Sequence, residues 1–222
     1  MQCLITAGPT HEPLDRVRRI TNFSTGTVGT ALANHLAAAG HQALLFRSET
    51  ACAERPVSAV NVESFSTTTD LASLFLKHAT DEPVSIFHAA AVSDFRFGPV
   101  YQRDKAGELA PVYAGKISTR EGSLWVELKP TPKILEGLRE WFPHAFIVGW
   151  KYEVDGLPSE AETKARHQLQ ECQTNACVLN GPACGPGYTL ITAQQAVHYP
   201  QSSDLFAALE KLTAGTHRPA CA

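Results

Sequence analysis

The chain has 222 residues, 44% of them hydrophobic and 18% charged, with a formal net charge of −3. That is enough chain for one ample core in a single domain over residues 1–222. The mild acidity offers no basic field to nucleic acid, and no apolar run approaches the roughly 18 residues of a membrane span. The N-terminus has no basic segment ahead of an apolar one, so the expectation is a cytoplasmic protein with neither a membrane nor a nucleic-acid partner. The six cysteines (Cys3, Cys52, Cys172, Cys177, Cys184 and Cys221) include no C-x-x-C pair, which suits small neutral residues in a reducing compartment. Cys172, Cys177 and Cys184 match no common zinc spacing, and no metal ligands are expected from protein side chains.

In chain order, "QCLITA" (2–7) is a short apolar run that stops at Gly8, as a buried strand does. A polar loop over 8–24 precedes a helix over 25–39, with Val28, Leu32 and Leu36 as its apolar stripe, Ser24 and Thr25 as caps and Gly40 as its stop. Strands are predicted at 41–48 and 57–64, a helix at 67–79 and a strongly apolar strand at 84–92. This alternation predicts an α/β fold: a mostly parallel sheet with helices on both faces. The pattern then changes. Residues 94–112 read as a polar loop or flap, and "VYAGKIS" and "SLWVELK" as a β-hairpin around "TREG". A helix at 132–142, strands at 145–152 and 176–180, a Pro158-initiated helix at 158–172, two short strands and a helix at 203–214 complete the chain, with a frayed tail at 215–222.

Ligands of open α/β sheets bind outside the carboxyl ends of the strands. Gly8-Pro9-Thr10, the segment Ala90 to Asp94, Trp150 with Lys151, and Asn180-Gly181 all fall at such ends. The turn Ser24-x-Gly26-x-x-Gly29 joins them as a helix start able to hold an anion, or as a plain cap with packing glycines. Arg16, Arg18 and Arg19 in the preceding loop are either a solvated face or a clamp for phosphate or carboxylate. Asp94 reads equally as a turn residue, and Lys116 alone as a surface lysine. "YQRDK" (101–105) has the Tyr-x-x-x-Lys spacing of short-chain dehydrogenases, but Pro99 and Gly107 flank it, and no glycine fingerprint follows the first strand directly.

The blocks "ITAGPTHEPLDRVRRITNFSTGTVGTALA", "AAAVSDFR", "GKIS", "VELKPTPKIL", "IVGWKYE" and "CVLNG" stand in the order found in phosphopantothenate–cysteine ligases, and the chain resembles that family over about residues 2–192. The resemblance implies a Rossmann-like three-layer fold with an added hairpin or flap at about 95–130, a homodimer, and a stand-alone synthetase without flavin or decarboxylase domain. It also implies the chemistry. The carboxylate of 4'-phosphopantothenate is activated by a nucleoside triphosphate with Mg2+, CTP before ATP, releasing pyrophosphate. The amine of cysteine then attacks the acyl-nucleotide.

Carried over by resemblance, Asn22 and Lys116 are the catalytic pair. Asn22 serves the second half-reaction as a neutral oxyanion donor, and Lys116 is the flap lysine of acyl-nucleotide formation. Arg18, Asn22, Ala90, Ala91 and Asp94 contact phosphopantothenate, Arg18 across the dimer. Gly8, Ser24, Gly26 and Gly29 form the phosphate cradle. Asp94, Lys116, Pro132, Lys133, Ile134, Leu135, Trp150, Lys164 and Asn180 complete the nucleotide site, with Trp150 as a stacking wall. Three positions depart from the family pattern: Thr27 replaces a basic residue, Lys133 an aspartate, and Gln168 the second helix lysine. An altered homologue that binds nucleotide or a pantothenate-like ligand as a regulator is the alternative those departures leave open.

Overall fold

The computed structural model describes residues 1–103, 107–118 and 122–216, with side chains as far as Thr213. Strand β1 (Gln2–Ala7) is the spine of an eight-stranded sheet, flanked by β4 (Gln42–Ser48) and β6 (Ser85–His88). Beyond β4 lies β5 (Asn61–Phe65), and beyond β6 lie β10 (Phe146–Tyr152) and β11 (Ala176–Asn180). All these neighbours run parallel. Two antiparallel strands, β12 (Tyr188–Thr192) and β13 (Ala196–Tyr199), close the far edge. The central strands are buried on both faces, which is why they read as continuous apolar runs rather than alternating ones.

Helices cover both sides, as the alternation required. Helix α1 (Thr27–Ala38) and α5 (Ser202–Thr216) pack Leu32, Leu36, Leu205 and Leu209 over Ile5, Leu45, Phe87 and Val148. On the opposite face, α2 (Thr68–Lys77) and α3 (Ile134–Trp141) bury Leu71, Phe75, Ile134 and Leu138 with Leu4, Phe46 and Ile147. Helix α4 (Pro158–Glu171) sets Ala161 and Ala165 on Cys177, Leu179 and Ile191. Burying five such phenylalanine and leucine side chains contributes on the order of 10 kcal/mol before chain entropy is charged against it. Burial pushes the Cys177 thiol up to about 12 and that of Cys172 to about 11, so both stay neutral packing groups. Among the described residues there is no metal-binding cluster, and no helix is long and apolar enough to cross a membrane.

Several boundaries differ from the sequence reading. The loop over 8–24 contains a small hairpin of β2 (His11–Pro13) and β3 (Arg19–Thr21), tied at 2.9 Å to Ser66 through the His11 amide. Strand β5 begins at Asn61 because residues 58–60 turn, and β6 ends at His88, four residues before its apolar run does. Helix α1 is capped by Gly26 in the left-handed region (φ +79°) and not by Ser24 or Thr25.

The flap departs most. Residues 95–103, read as polar loop, form the nine-residue strand β7 (Phe95–Arg103). It pairs antiparallel with β8 (Leu109–Pro111) and β9 (Leu124–Pro130), whereas "VYAGKIS" is not a strand. A register shift between Phe97 and Val100 absorbs Gly98-Pro99 as an irregularity, the tolerated place for proline in a sheet. Tyr101 therefore sits on a strand, which removes the helical Tyr/Lys pair of a dehydrogenase; Lys105, part of "TREG" and the last residues of the tail lie outside the described residues.

Candidate active site

Because β1, β6, β10 and β11 are parallel neighbours, their carboxyl ends share one edge of the sheet. The chain beyond β1 and β6 stays paired: the Ala91 amide donates to Gly8 O at 3.1 Å and the Thr10 amide to Ala91 O at 3.1 Å. Thr6 Oγ1 accepts from the Ala90 amide at 2.9 Å, and Thr10 Oγ1 from the Ser93 amide at 2.8 Å. Thr6 Oγ1 also bonds His88 Nδ1 at 3.0 Å; burial holds the imidazole down at about 4, so His88 is a neutral member of the scaffold. The small residues Ala90 and Ala91 are thus fixed at the lip of the sheet rather than left as a free loop.

The glycine turn meets this edge closely. An added Cβ at Gly26 would lie 3.1 Å from Gly8 N and 3.0 Å from Ala51 Cβ; one at Gly8 (φ +91°) would lie 2.7 Å from Ser48 Cβ. Only glycine lets these two backbones touch. Arg47 Nη2 fixes the loop beneath through the carbonyls of Ala51 (3.0 Å) and Ala53 (2.8 Å), and the Ala53 amide holds Thr25 O at 3.0 Å. Gly26, the N-cap, brings no side chain, and the Thr27 amide makes only a long bond of 3.4 Å to Thr25 Oγ1, so the positive end of the α1 dipole starts beside Gly8. Gly29 has a different job. It is buried in the helix, where a Cβ would meet Thr6 O at 2.4 Å, so it sets the helix–strand distance. Thr27, exposed, bonds Thr25 Oγ1 at 2.7 Å.

Asn22 lies at this crevice: its Nδ2 donates to Val92 O at 3.0 Å, which uses one amide hydrogen and leaves the second. Asp94, two residues on, is exposed and ion-paired with Lys133, the N-cap of α3. Pro132 precedes that cap; Ile134 is core, 3% exposed, and Leu135 packs behind Gly149. Trp150 is half-buried on the α1 and α5 face, with Nε1 enclosed and unpartnered.

Lys164 does not stand free. It donates to Glu153 at 2.6 Å, and Lys151 approaches the same carboxylate at 3.4 Å. Burial raises Glu153, but the two lysines outweigh it and leave the carboxyl below its ordinary range. Gln168 donates to Trp150 O at 3.3 Å. Asn180 O accepts from the Glu153 amide at 2.9 Å, and its residue lines a groove of about 670 Å³ with Gly181, Tyr188 and Ser202.

Arg18 and Lys116 are linked through the flap. Arg18 forks onto Asp15 (Nε 3.0 Å, Nη2 2.5 Å) and donates to Ile117 O at 2.7 Å; Lys116, next to Ile117, is exposed. Asp15 is the residue that sequence reasoning passed over: an acid three before an arginine reads as a local pair, and nothing in the sequence announces a partner about a hundred residues away.

The sequence signature of the DNA/pantothenate metabolism flavoprotein C-terminal domain matches residues 1–212, and the chain belongs to that family. It is 32% identical over 178 residues to a coenzyme A biosynthesis bifunctional protein CoaBC of Thermococcus kodakarensis, covering 80% of this chain and 40% of the relative. The CoaBC protein of Bacillus subtilis is 28% identical over 190 residues, 85% and 43% of the respective chains. This chain therefore spans about two fifths of the length of the curated relatives it matches. Among solved structures, the DNA/pantothenate metabolism flavoprotein of Streptococcus pneumoniae superposes with a TM-score of 0.81 at 24% identity, over 98% of this chain and all of that one. A Cab2 H337A mutant in complex with phosphopantothenate-cysteine gives a TM-score of 0.73 at 20% identity, over 97% and 87%. The Rossmann-like sheet with its mostly parallel order is the fold of these proteins.

Proposed function

We propose that this protein joins 4'-phosphopantothenate to L-cysteine through an acyl-nucleotide, a step of coenzyme A biosynthesis. The observation that carries the reading is the bond from Asn22 to Val92 O, which seats a neutral amide donor between the glycine turn and the Ala90–Asp94 lip. Family membership supports it, as does the phosphopantothenate-cysteine bound by the structurally similar Cab2 mutant. The first-turn amides of α1 with Gly8, Ser24 and Gly26 cradle the triphosphate, which carries its own Mg2+. The substrate carboxylate attacks the α-phosphorus and pyrophosphate leaves; Lys116 offsets the charge that gathers there. The cysteine amine then attacks the acyl carbon, the nucleoside monophosphate leaves with the bonding pair, and the amine gives up its proton. The remaining Asn22 N–H meets the oxyanion of that second step. CTP is the preferred nucleotide, and a homodimer in the cytoplasm, with Arg18 reaching the partner's substrate, is the working form.

The test is pyrophosphate release from purified protein given phosphopantothenate, cysteine, Mg2+ and either CTP or ATP. Release that requires phosphopantothenate supports the ligase. Binding of nucleotide or phosphopantothenate without turnover on either nucleotide would replace it by the regulator reading.

A further inference from the structure

We infer that Asp15 is a positioning residue that ties the flap lysine, Lys116, to the same loop that carries Asn22. The inference rests on the proposed ligase reading for the role of Lys116; the tether itself rests on geometry alone.

The Asp15 carboxylate is 1% exposed although its loop lies at the surface. Oδ1 accepts from the amides of Val17 (2.8 Å) and Arg18 (2.8 Å), which shapes the turn before β3. Those bonds are local and any Asx turn makes them. Oδ2 does something else. It accepts from Arg18 Nε and Nη2 and also from the Ile117 amide at 3.2 Å, while Arg18 Nη2 donates to Ile117 O at 2.7 Å. One peptide group of the flap is therefore gripped at both ends, its N–H by the acid and its C=O by the base. One residue before Lys116 there is a second tether, from the Arg16 amide to Gly115 O at 3.0 Å, and the Arg16 side chain lies so close to Gly115 that a Cβ there would meet it at 3.3 Å. The Ile117 side chain is itself 3% exposed. Lys116 thus stands between two anchored residues, exposed, on a strandless stretch that has no sheet partner to hold it. The turn needs neither of the Ile117 bonds, and the flap sheet needs neither of them.

The consequence is a division of labour. Removing the tether leaves the lysine in the sequence but lets it sample the solvent, so the effect of losing Asp15 passes through Lys116. Placement errors of this kind lower the rate of the step that uses the group more than they weaken binding. Two acts on one group are strongly non-additive.

The experiment pairs Asp15→Asn with Lys116→Ala. An asparagine keeps an acceptor for the turn amides but presents no charge to Arg18. Exchange of the Ile117 amide is read first, on the full chain without substrates, and is expected to rise about tenfold in Asp15→Asn. Pyrophosphate release is read second: about a tenfold lower kcat with nucleotide KM changed less than about threefold, and a double variant no more than about threefold worse than Lys116→Ala alone. Unchanged exchange at Ile117, or losses that multiply in the double variant, would overturn the inference. Should Asp15→Asn fail to fold, Asp15→Glu, which keeps the charge but displaces the carboxylate from the Ile117 amide, is carried through the same measurements. If the unaltered protein turns over neither nucleotide, the ligase reading falls, and the exchange at Ile117 still decides the tether.

Discussion

Lys133 Nζ rests on the Asp94 carboxylate, joining the cap of α3 to the segment that follows β6. The pair brings one positive and one negative charge together at the carboxyl edge of the sheet. Both side chains are more than half exposed (55% and 64%), and a pair so open to water contributes little to stability. Lys133→Ala is therefore expected to change unfolding free energy by less than about 0.5 kcal/mol. Nucleotide KM is expected to rise several-fold, because Asp94 then meets a polyanion unscreened. A stability loss above about 1 kcal/mol, or an unchanged KM, would show that the pair is structural.

Asn22 and Lys116 are assigned to different half-reactions, and this can be read directly. In Asn22→Ala the acyl-nucleotide accumulates, seen as a burst of pyrophosphate without matching nucleoside monophosphate. In Lys116→Ala the burst itself is lost, by about a hundredfold for a group that offsets developing charge. Equal loss of both steps in both variants would contradict the division.

Gly29 and Gly40 separate two uses of glycine. At Gly29 an added Cβ lies 2.4 Å from Thr6 O and 2.8 Å from Ala7 Cβ, so Gly29→Ala must push α1 off β1, at about 1–3 kcal/mol. At Gly40 (φ +86°) a Cβ meets nothing within 4 Å, and only the left-handed backbone opposes alanine, at about 1 kcal/mol. Urea unfolding should rank Gly29→Ala as the more damaging change and the one that also weakens nucleotide binding.

His88 gives the fold a pH dependence of known sign. Its folded value is held at about 4 by burial, below the ordinary 6.5. Between those values the unfolded chain binds more protons than the native one, so stability is complete above about pH 6.5 and falls as the pH drops toward 4. At pH 5, where most carboxylates are still ionised, the loss is about 2 kcal/mol relative to pH 7.5. Unfolding curves at the two pH values measure it, and His88→Gln should flatten the difference; an equal loss in that variant would assign the effect elsewhere.

Much of this was legible along the chain. "QCLITA" and "ACVLN" are buried strands because their apolar runs leave no polar face, and the helix read at 67–79 runs from Thr68 to Lys77 with Thr67 and Asp70 as its capping box. The meeting of Gly8 and Gly26 at one sheet edge also followed from strand ends and glycines. The flap was not legible. Its first strand carries Gly98 and Pro99, which mark a loop wherever no neighbouring strand can absorb them, and the partner that does so, β9, lies more than twenty residues on. The cap of α1 was misplaced for a related reason: Ser24 and Thr25 have the right chemistry, but contact with Gly8 sets the turn so that Gly26 takes the left-handed position.

The sequence by itself determined the layered α/β class and the family, because these depend on residue periodicity and on motifs contiguous in the chain. Only the tertiary structure decided which charges meet: Lys133 with Asp94, Lys164 with Glu153, and Asp15 with the peptide of Ile117. Such pairs join residues from about ten to a hundred positions apart. Each acid and base alone reads as surface, and the pairing exists only after the sheet has brought their loops to one edge.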